Sequence, residues 1–226
     1  MRKNINHANI LIVEGEGDRS CLEQLCSKLD ISPKILLPVT PKDLLDSAYN
    51  SKQGVYAVFK DALEDLRDSH SKRLAIIVDA DQAKDGQSFQ TTFDTIEQRL
   101  QAFDYRFDSQ ASIEACGLIF SHPDAGFHPI GVWIMPNNQE DGAIESWISA
   151  CIDPAKCHLF PHAQTVIQAL PNRTFEGNKK AKAEVATWLA WQKSPSIGLY
   201  AAVGLLDSQS SEYKNLVTWL NYVFPP

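Results

Sequence analysis

The segment LAIIVDAD constrains this chain more than any other. Leu74 to Val78 carries no charge, is rich in Ile and Val, and ends in Asp79 and Asp81. A strand so uniformly apolar is covered on both faces, as parallel strands in α/β proteins are. A second run, Ile10 to Val13, ends in Glu14-Gly15-Glu16-Gly17-Asp18 and is followed by Leu22, Leu25, Cys26 and Leu29 at helical spacing. This predicts strand, tight loop, helix.

The remaining pattern repeats that alternation. Lys34 to Val39 reads as a short strand, and Val55, Phe59, Ala62, Leu63 and Leu66 trace the apolar face of a helix. Phe89, Phe93, Ile96, Leu100 and Phe103 give a third helix. Cys116 to Phe120 and Ile130 to Met135 read as strands around the turn-rich SHPDAGFHP. Asp141-Gly142 opens a helix with Ile144, Trp147, Ile148 and Cys151, and the tail beyond Asp153 is helical by spacing. The expectation is a single α/β domain over residues 1–226. Its mostly parallel sheet, flanked by helices, occupies about residues 7–152, and a helical elaboration covers about 153–226. In such folds the functional crevice lies outside the carboxyl ends of the strands.

Acids recur at that address. Glu14 with Asp18, Asp79 with Asp81, and Asp141 with Glu145 each follow a strand. Converging carboxylates repel unless a cation lies between them, and hard oxygen ligands favour Mg²⁺ or Mn²⁺ over zinc. Strand alternation puts Asp79 and Asp81 on one side, able to share an ion that clamps a phosphate and activates water. Taken singly, Asp18, Asp85 and Asp141 also fit helix-cap or turn positions.

Competing readings are weaker. GEGDRS resembles a G-x-G-x-x-G loop with Ser20 at the third glycine, but Glu14, Glu16 and Asp18 would surround a pyrophosphate with negative charge, and no acid at Val39 awaits a ribose. His158 and His162 are four apart, yet Pro161 between them argues against one continuous helix carrying a metal. Trp133, Trp147, Trp188, Trp191 and Trp219 mostly follow apolar spacing and read as core. Five cysteines without a CxxC pair do not make a disulfide framework.

A formal charge of −7 excludes a grip on nucleic acid through bulk attraction, though a bound cation reverses the local field. The cluster Arg67, Lys72 and Arg73 precedes the DAD strand and falls at the edge opposite the crevice. No apolar run reaches the length of a membrane span, and a soluble cytoplasmic protein is expected.

ILIVEGEGD and LAIIVDAD resemble the glutamate and DxD motifs of the TOPRIM fold, a Rossmann-like fold shared by topoisomerases, primases, recombination proteins and OLD-family nucleases. The Glu14 to Asp18 spacing resembles the nuclease form. GVWIMPNNQEDGAIESWI, with Gly142 and Glu145, and the helix NKKAKAEVATWLAW resemble small stand-alone TOPRIM proteins grouped as DUF3226. That resemblance implies Glu14 as general acid or base or as metal ligand. It implies Asp79 and Asp81 as Mg²⁺ or Mn²⁺ ligands, assisted by Asp18 and Glu145. It also implies a late lysine, for which Lys179, Lys180 and Lys182 are available and Lys180 is the choice. The implied activity is phosphodiester hydrolysis on DNA or RNA. Alternatives are a smaller phosphorylated substrate, or a metal- and nucleotide-binding module serving a separately encoded ATPase.

Overall fold

The computed structural model describes residues 9–37, 51–68, 72–81, 88–196 and 198–225. The expectations at Val39 and Asp85, and the domain's start at residue 7, lie outside them. The described residues form a six-stranded sheet in the order β2-β1-β3-β6-β5-β4. Its strands are β1 (Asn9–Ile12), β2 (Lys34–Leu36), β3 (Arg73–Asp79), β4 (Arg106–Phe107), β5 (Leu118–Ser121) and β6 (Ile130–Met135). The first four in that order run parallel, and β5 and β4 are antiparallel at one edge.

Alternation along the strands divides the interior into two layers. Leu11 and Val13, Ala75 and Ile77, and Trp133 and Met135 face one side. There they meet α1 (Glu16–Lys28), α5 (Ile144–Ala150), α7 (Asn178–Ala190) and α8 (Ser211–Val223). Ile10 and Ile12, Leu74, Ile76 and Val78, and Val132 and Ile134 face the other side, under α2 (Ser51–Asp68) and α3 (Phe89–Gln101). Burial on both faces is why these strands carry apolar runs in place of an apolar-polar alternation.

The chain leaves β1 through α1 to β2 on one side, then returns through α2 to β3 on the other. The gap between the carboxyl ends of β1 and β3 is therefore the topological switch point, where open α/β sheets place their ligands.

Helices α4 (Ser109–Ala115) and α6 (Leu159–Ala169) complete the helices of the described residues, with a short 3-10 turn at Leu199–Ala201. Helix α4 carries no apolar stripe. Asp108 starts it by accepting the Ala111 N–H at 3.0 Å, and Cys116 ends it in the left-handed conformation, so β5 begins at Leu118. His158 and His162 do not share one helix, as expected, but Pro161 is not the reason. It stands in the first turn of α6, where no intrahelical N–H is required, and the helix runs through it. His158 is the residue before that helix, and His162 packs on Trp191.

Four of the five tryptophans are buried, and Trp191 is exposed. Trp219 of α8 packs on Trp133 of β6 and donates from Nε1 to the Leu118 carbonyl at 3.3 Å. Gly131 permits that approach. A methyl group there would lie 2.5 Å from Val223 Cγ2 and 2.9 Å from Trp219 Cζ2. Gly131→Ala should destabilise the protein by about 2 kcal/mol through overpacking. In a thermal melt that is a fall of roughly 4–8 °C; an unchanged midpoint would show that α8 can shift freely.

Candidate active site

Glu14, just beyond β1, and Asp79, the last residue of β3, meet where the sheet ends, because β1 and β3 pair in parallel with Ile12 opposite Ile76. The Asp79 N–H donates to Glu14 Oε1 at 3.0 Å, which ties the two strand ends together through the acid itself. Asp79 Oδ1 in turn accepts the Ile144 N–H at 3.1 Å, anchoring the first turn of α5 to β3. Both acids are half-buried.

Asp18 and Glu145 approach from the two helices on that face. Asp18 occupies the third position of α1 and its Oδ2 accepts the Gly15 N–H at 2.9 Å, one half of a capping box. Glu145, second in α5, is only 4% exposed and pairs with Lys182 of α7 at 3.5 Å. Burial pushes the Asp18 carboxyl up to about 6, with the charge of Glu145 adding to it and the Gly15 N–H and Lys182 opposing. Asp79 is pushed well above the ordinary carboxylate range, first by burial and then by Glu14, Asp18, Glu145 and Asp81. Five of the acids singled out in the sequence therefore share one electrostatic field.

Asp81 departs from expectation. β3 ends at Asp79, and Asp81 lies beyond it with a φ of 66°, in the left-handed region. Its N–H donates to the Gly142 carbonyl at 2.9 Å. That turn breaks the strand alternation, so the two aspartates do not face the same side. Asp79 meets α5, whereas Asp81 Oδ2 meets Lys52 of α2 at 2.7 Å, under the opposite layer. Gly142, with a φ of 155°, adopts a conformation that favours glycine, and a Cβ there would lie 2.9 Å from Ser146 Oγ.

Asp141 is directed elsewhere. Its Oδ1 accepts the Phe89 N–H at 2.8 Å and so caps the start of α3. Lys180 pairs with the buried Glu184 of its own helix at 2.9 Å, and Lys182 is the α7 lysine seated against the acids. Arg73, at the amino end of β3, donates to the Val223 carbonyl at 3.3 Å, on the far side of the sheet from the crevice.

Three residues at the site carried no weight in the sequence reading. Lys52 is 6% exposed and Thr92 is buried beside it, while Tyr56 lies near enough for Glu14 and Asp81 to raise its phenol beyond what burial does. The signal for Lys52 was its spacing. Residues 52, 55, 56, 59, 63 and 66 form one helical stripe, and a lysine in the register of a buried stripe requires a buried partner.

As they stand, no three acid, histidine or cysteine side chains among the described residues are gathered closely enough to hold a metal ion. The donor set nonetheless fits a hard cation. It is all carboxylate and partly desolvated, and Asp79 is disfavoured as an anion first by burial and then by its neighbours. Among the described residues no helix is long and apolar enough to cross a membrane.

A family model described as "Protein of unknown function (DUF3226)" matches residues 8–225. No curated protein matches the chain, and no solved structure does.

Proposed function

The chain belongs to the DUF3226 family of proteins of unknown function, and on that premise we propose that it is a divalent-cation-dependent phosphodiesterase acting on nucleic acid. The observation that carries this reading is the convergence of Glu14, Asp18, Asp79 and Glu145 at the switch point, with Asp79 held as a strongly disfavoured anion. A group so disfavoured at a strand end is relieved by a cation, and the natural partner of a carboxylate-bound Mg²⁺ or Mn²⁺ is a phosphate oxygen. The finer fold assignment is TOPRIM, supported by a glutamate after β1 and a DxD after the adjacent parallel β3.

In this reading Asp79 and Glu14 are the primary ligands, with Asp18 and Glu145 completing the shell. The ion lowers the pKa of a bound water and polarises the phosphoryl group when it is present. Glu14, beside it, holds or releases the proton of the attacking water. Lys182 on α7, paired with Glu145, takes the part that the sequence assigned to Lys180, which is paired with Glu184 instead, and would offset the charge of an approaching polyanion. The proposed setting is the cytoplasm.

The separation of the carboxylates as they stand supports a second reading. The shell closes only on a substrate or partner, and the chain acts as a metal-binding module with a separately encoded ATPase. Cleavage of single- and double-stranded DNA, RNA and a small aryl phosphodiester, with and without Mg²⁺ or Mn²⁺, separates the two. Glu14→Gln should lower a metal-dependent rate by about 10²–10⁴-fold. Cleavage that survives both chelation and Glu14→Gln would refute the enzyme reading. Cation binding without cleavage would favour the module.

A further inference from the structure

We propose that the groove between α2 and α3 is a nucleotide-binding subsite, in which Lys60 and Arg99 hold a phosphate while the base lies on the apolar wall beside Gln98. The inference rests on the reading of the acidic centre only for placing this nucleotide next to the phosphate on which the centre would act.

Helical spacing makes the groove. Tyr56, Lys60, Leu63 and Arg67 form one stripe along α2, and Thr95, Arg99 and Ala102 form another along α3 and its C-cap. Between them lies a cavity of about 420 Å³, within the roughly 300–1,000 Å³ of small-ligand sites. Phe59, Leu63 and Phe103 give it apolar walls. In a chain with 28 acids against 21 lysines and arginines, no acid among the described residues lines this cavity, whereas Lys60 and Arg99 do. The Arg99 guanidinium lies over the Tyr56 ring at 4.6 Å, and that of Arg67 over Phe103 at 4.7 Å. Neither arginine forms an ion pair with a carboxylate among the described residues. Resting on a ring leaves the N–H fork of a guanidinium free to take phosphate oxygens in pairs. Lys60 meets only Glu64, at 3.9 Å, and its side chain is 64% exposed.

Three lining chemistries narrow the ligand. The cations select an anion. The apolar walls beside them reward a flat apolar body, which a bare inorganic anion lacks. Gln98 adds an amide that both donates and accepts, as the edge of a base requires and the tail of an acyl anion does not. A nucleotide carries all three parts. Position ties the groove to the acidic centre. Helix α2 begins there, where Lys52 Nζ meets Asp81 Oδ2 at 2.7 Å, and Tyr56 follows one turn later. The Tyr56 phenol is pushed up first by burial and then by Glu14 and Asp81, while Arg99 opposes, so the ring stands between the acids and the arginine. From that point the groove runs along α2 away from the centre. A strand whose end unit lies in it leads its next phosphodiester toward Glu14.

Calorimetric titration of the full chain in chelator tests this without calling on a metal or on cleavage. The ligands are thymidine 5′-monophosphate, a single-stranded thymidine octamer, thymidine and inorganic phosphate. The mononucleotide should bind at least about tenfold tighter than thymidine or phosphate, and Arg99→Glu and Lys60→Glu should each weaken it by at least about tenfold. An octamer that binds much tighter than the mononucleotide, and is lost in the same variants, makes the occupant a strand; one that binds equally or worse makes it a free nucleotide. Phosphate bound as tightly as the nucleotide, no nucleotide bound at all, or nucleotide binding unmoved by both substitutions would overturn the proposal. Should Arg99→Glu not fold by circular dichroism, Lys60→Glu at its exposed position decides. Nucleotide bound by a chain that cleaves nothing supports the subsite and counts against the enzyme reading. Cleavage of the aryl phosphodiester by a chain that binds no nucleotide overturns the subsite alone.

Discussion

Replacing Asp79 by asparagine should weaken Mn²⁺ or Mg²⁺ binding by at least about 100-fold, since removal even of outer partners of a metal ligand costs 10–100-fold. The same change should raise the melting temperature of the metal-free protein. The two effects have one cause. Burial disfavours the Asp79 carboxylate, and the charges of Glu14, Asp18, Glu145 and Asp81 add to that, so its charge is a liability until a cation arrives. Asparagine keeps the shape and keeps an oxygen to accept the Ile144 N–H, so α5 stays anchored to β3. What is lost is only the charge. Calorimetric titration reads the first effect, and a thermal melt in chelator reads the second. A variant that binds the ion as the wild type does would remove Asp79 from the centre. One that melts lower in chelator would show that its charge supports the fold, contrary to the repulsion seen around it.

That opposition between stability and binding explains which parts of the protein were legible in its sequence. The parallel sheet was, because Ile10 to Val13, Leu74 to Val78 and Ile130 to Met135 are apolar on both faces and no other element demands that pattern. Glu14 and Asp79 were legible for the same reason. A charged group directly after such a run has no packing role, and both acids do stand together at the strand ends. The relation of Asp79 to Asp81 was not, since it depends on a left-handed turn at Asp81 that the Gly142 carbonyl and Lys52 hold in place. Asparagine and aspartate tolerate that conformation, so the residue type does not announce it. Helix α4 escaped because seven residues that bury only Ala111 and Ala115 leave no periodic signal. The choice among the α7 lysines turned on which one reaches α5. Spacing along one helix cannot say that, and contact between two helices can.

The pH dependence of the metal-free protein follows from the same groups and carries the second large effect. For Asp18 the folded-state value, about 6, lies above the ordinary 3.8, so the folded protein holds the proton more tightly than the unfolded chain does. Stability from this source is fully present below the unfolded value and is lost as pH rises through the folded one. Asp79 is displaced in the same direction and so extends the loss toward higher pH. The melting temperature in chelator should therefore decline from about pH 4 to above pH 6. A displacement of about two pH units corresponds to on the order of 2–3 kcal/mol, which for a chain of this length is roughly 5–10 °C. Asp108, whose carboxyl is held low by the Ala111 N–H and Ser121, exerts its effect on the acid side of this window. His128 works against the decline, because burial and then Arg73 lower its value and its contribution grows as pH rises. Asp79→Asn leaves His128 untouched, so the difference between the two melting curves isolates the acidic centre: the variant should decline less steeply. Saturating Mg²⁺ should flatten the wild-type curve, since the cation competes with protons for the same oxygens and its stabilisation grows as they ionise. A wild-type curve in chelator that rises through this window, or one that Mg²⁺ does not alter, would mean that these carboxylates are not held against their charge.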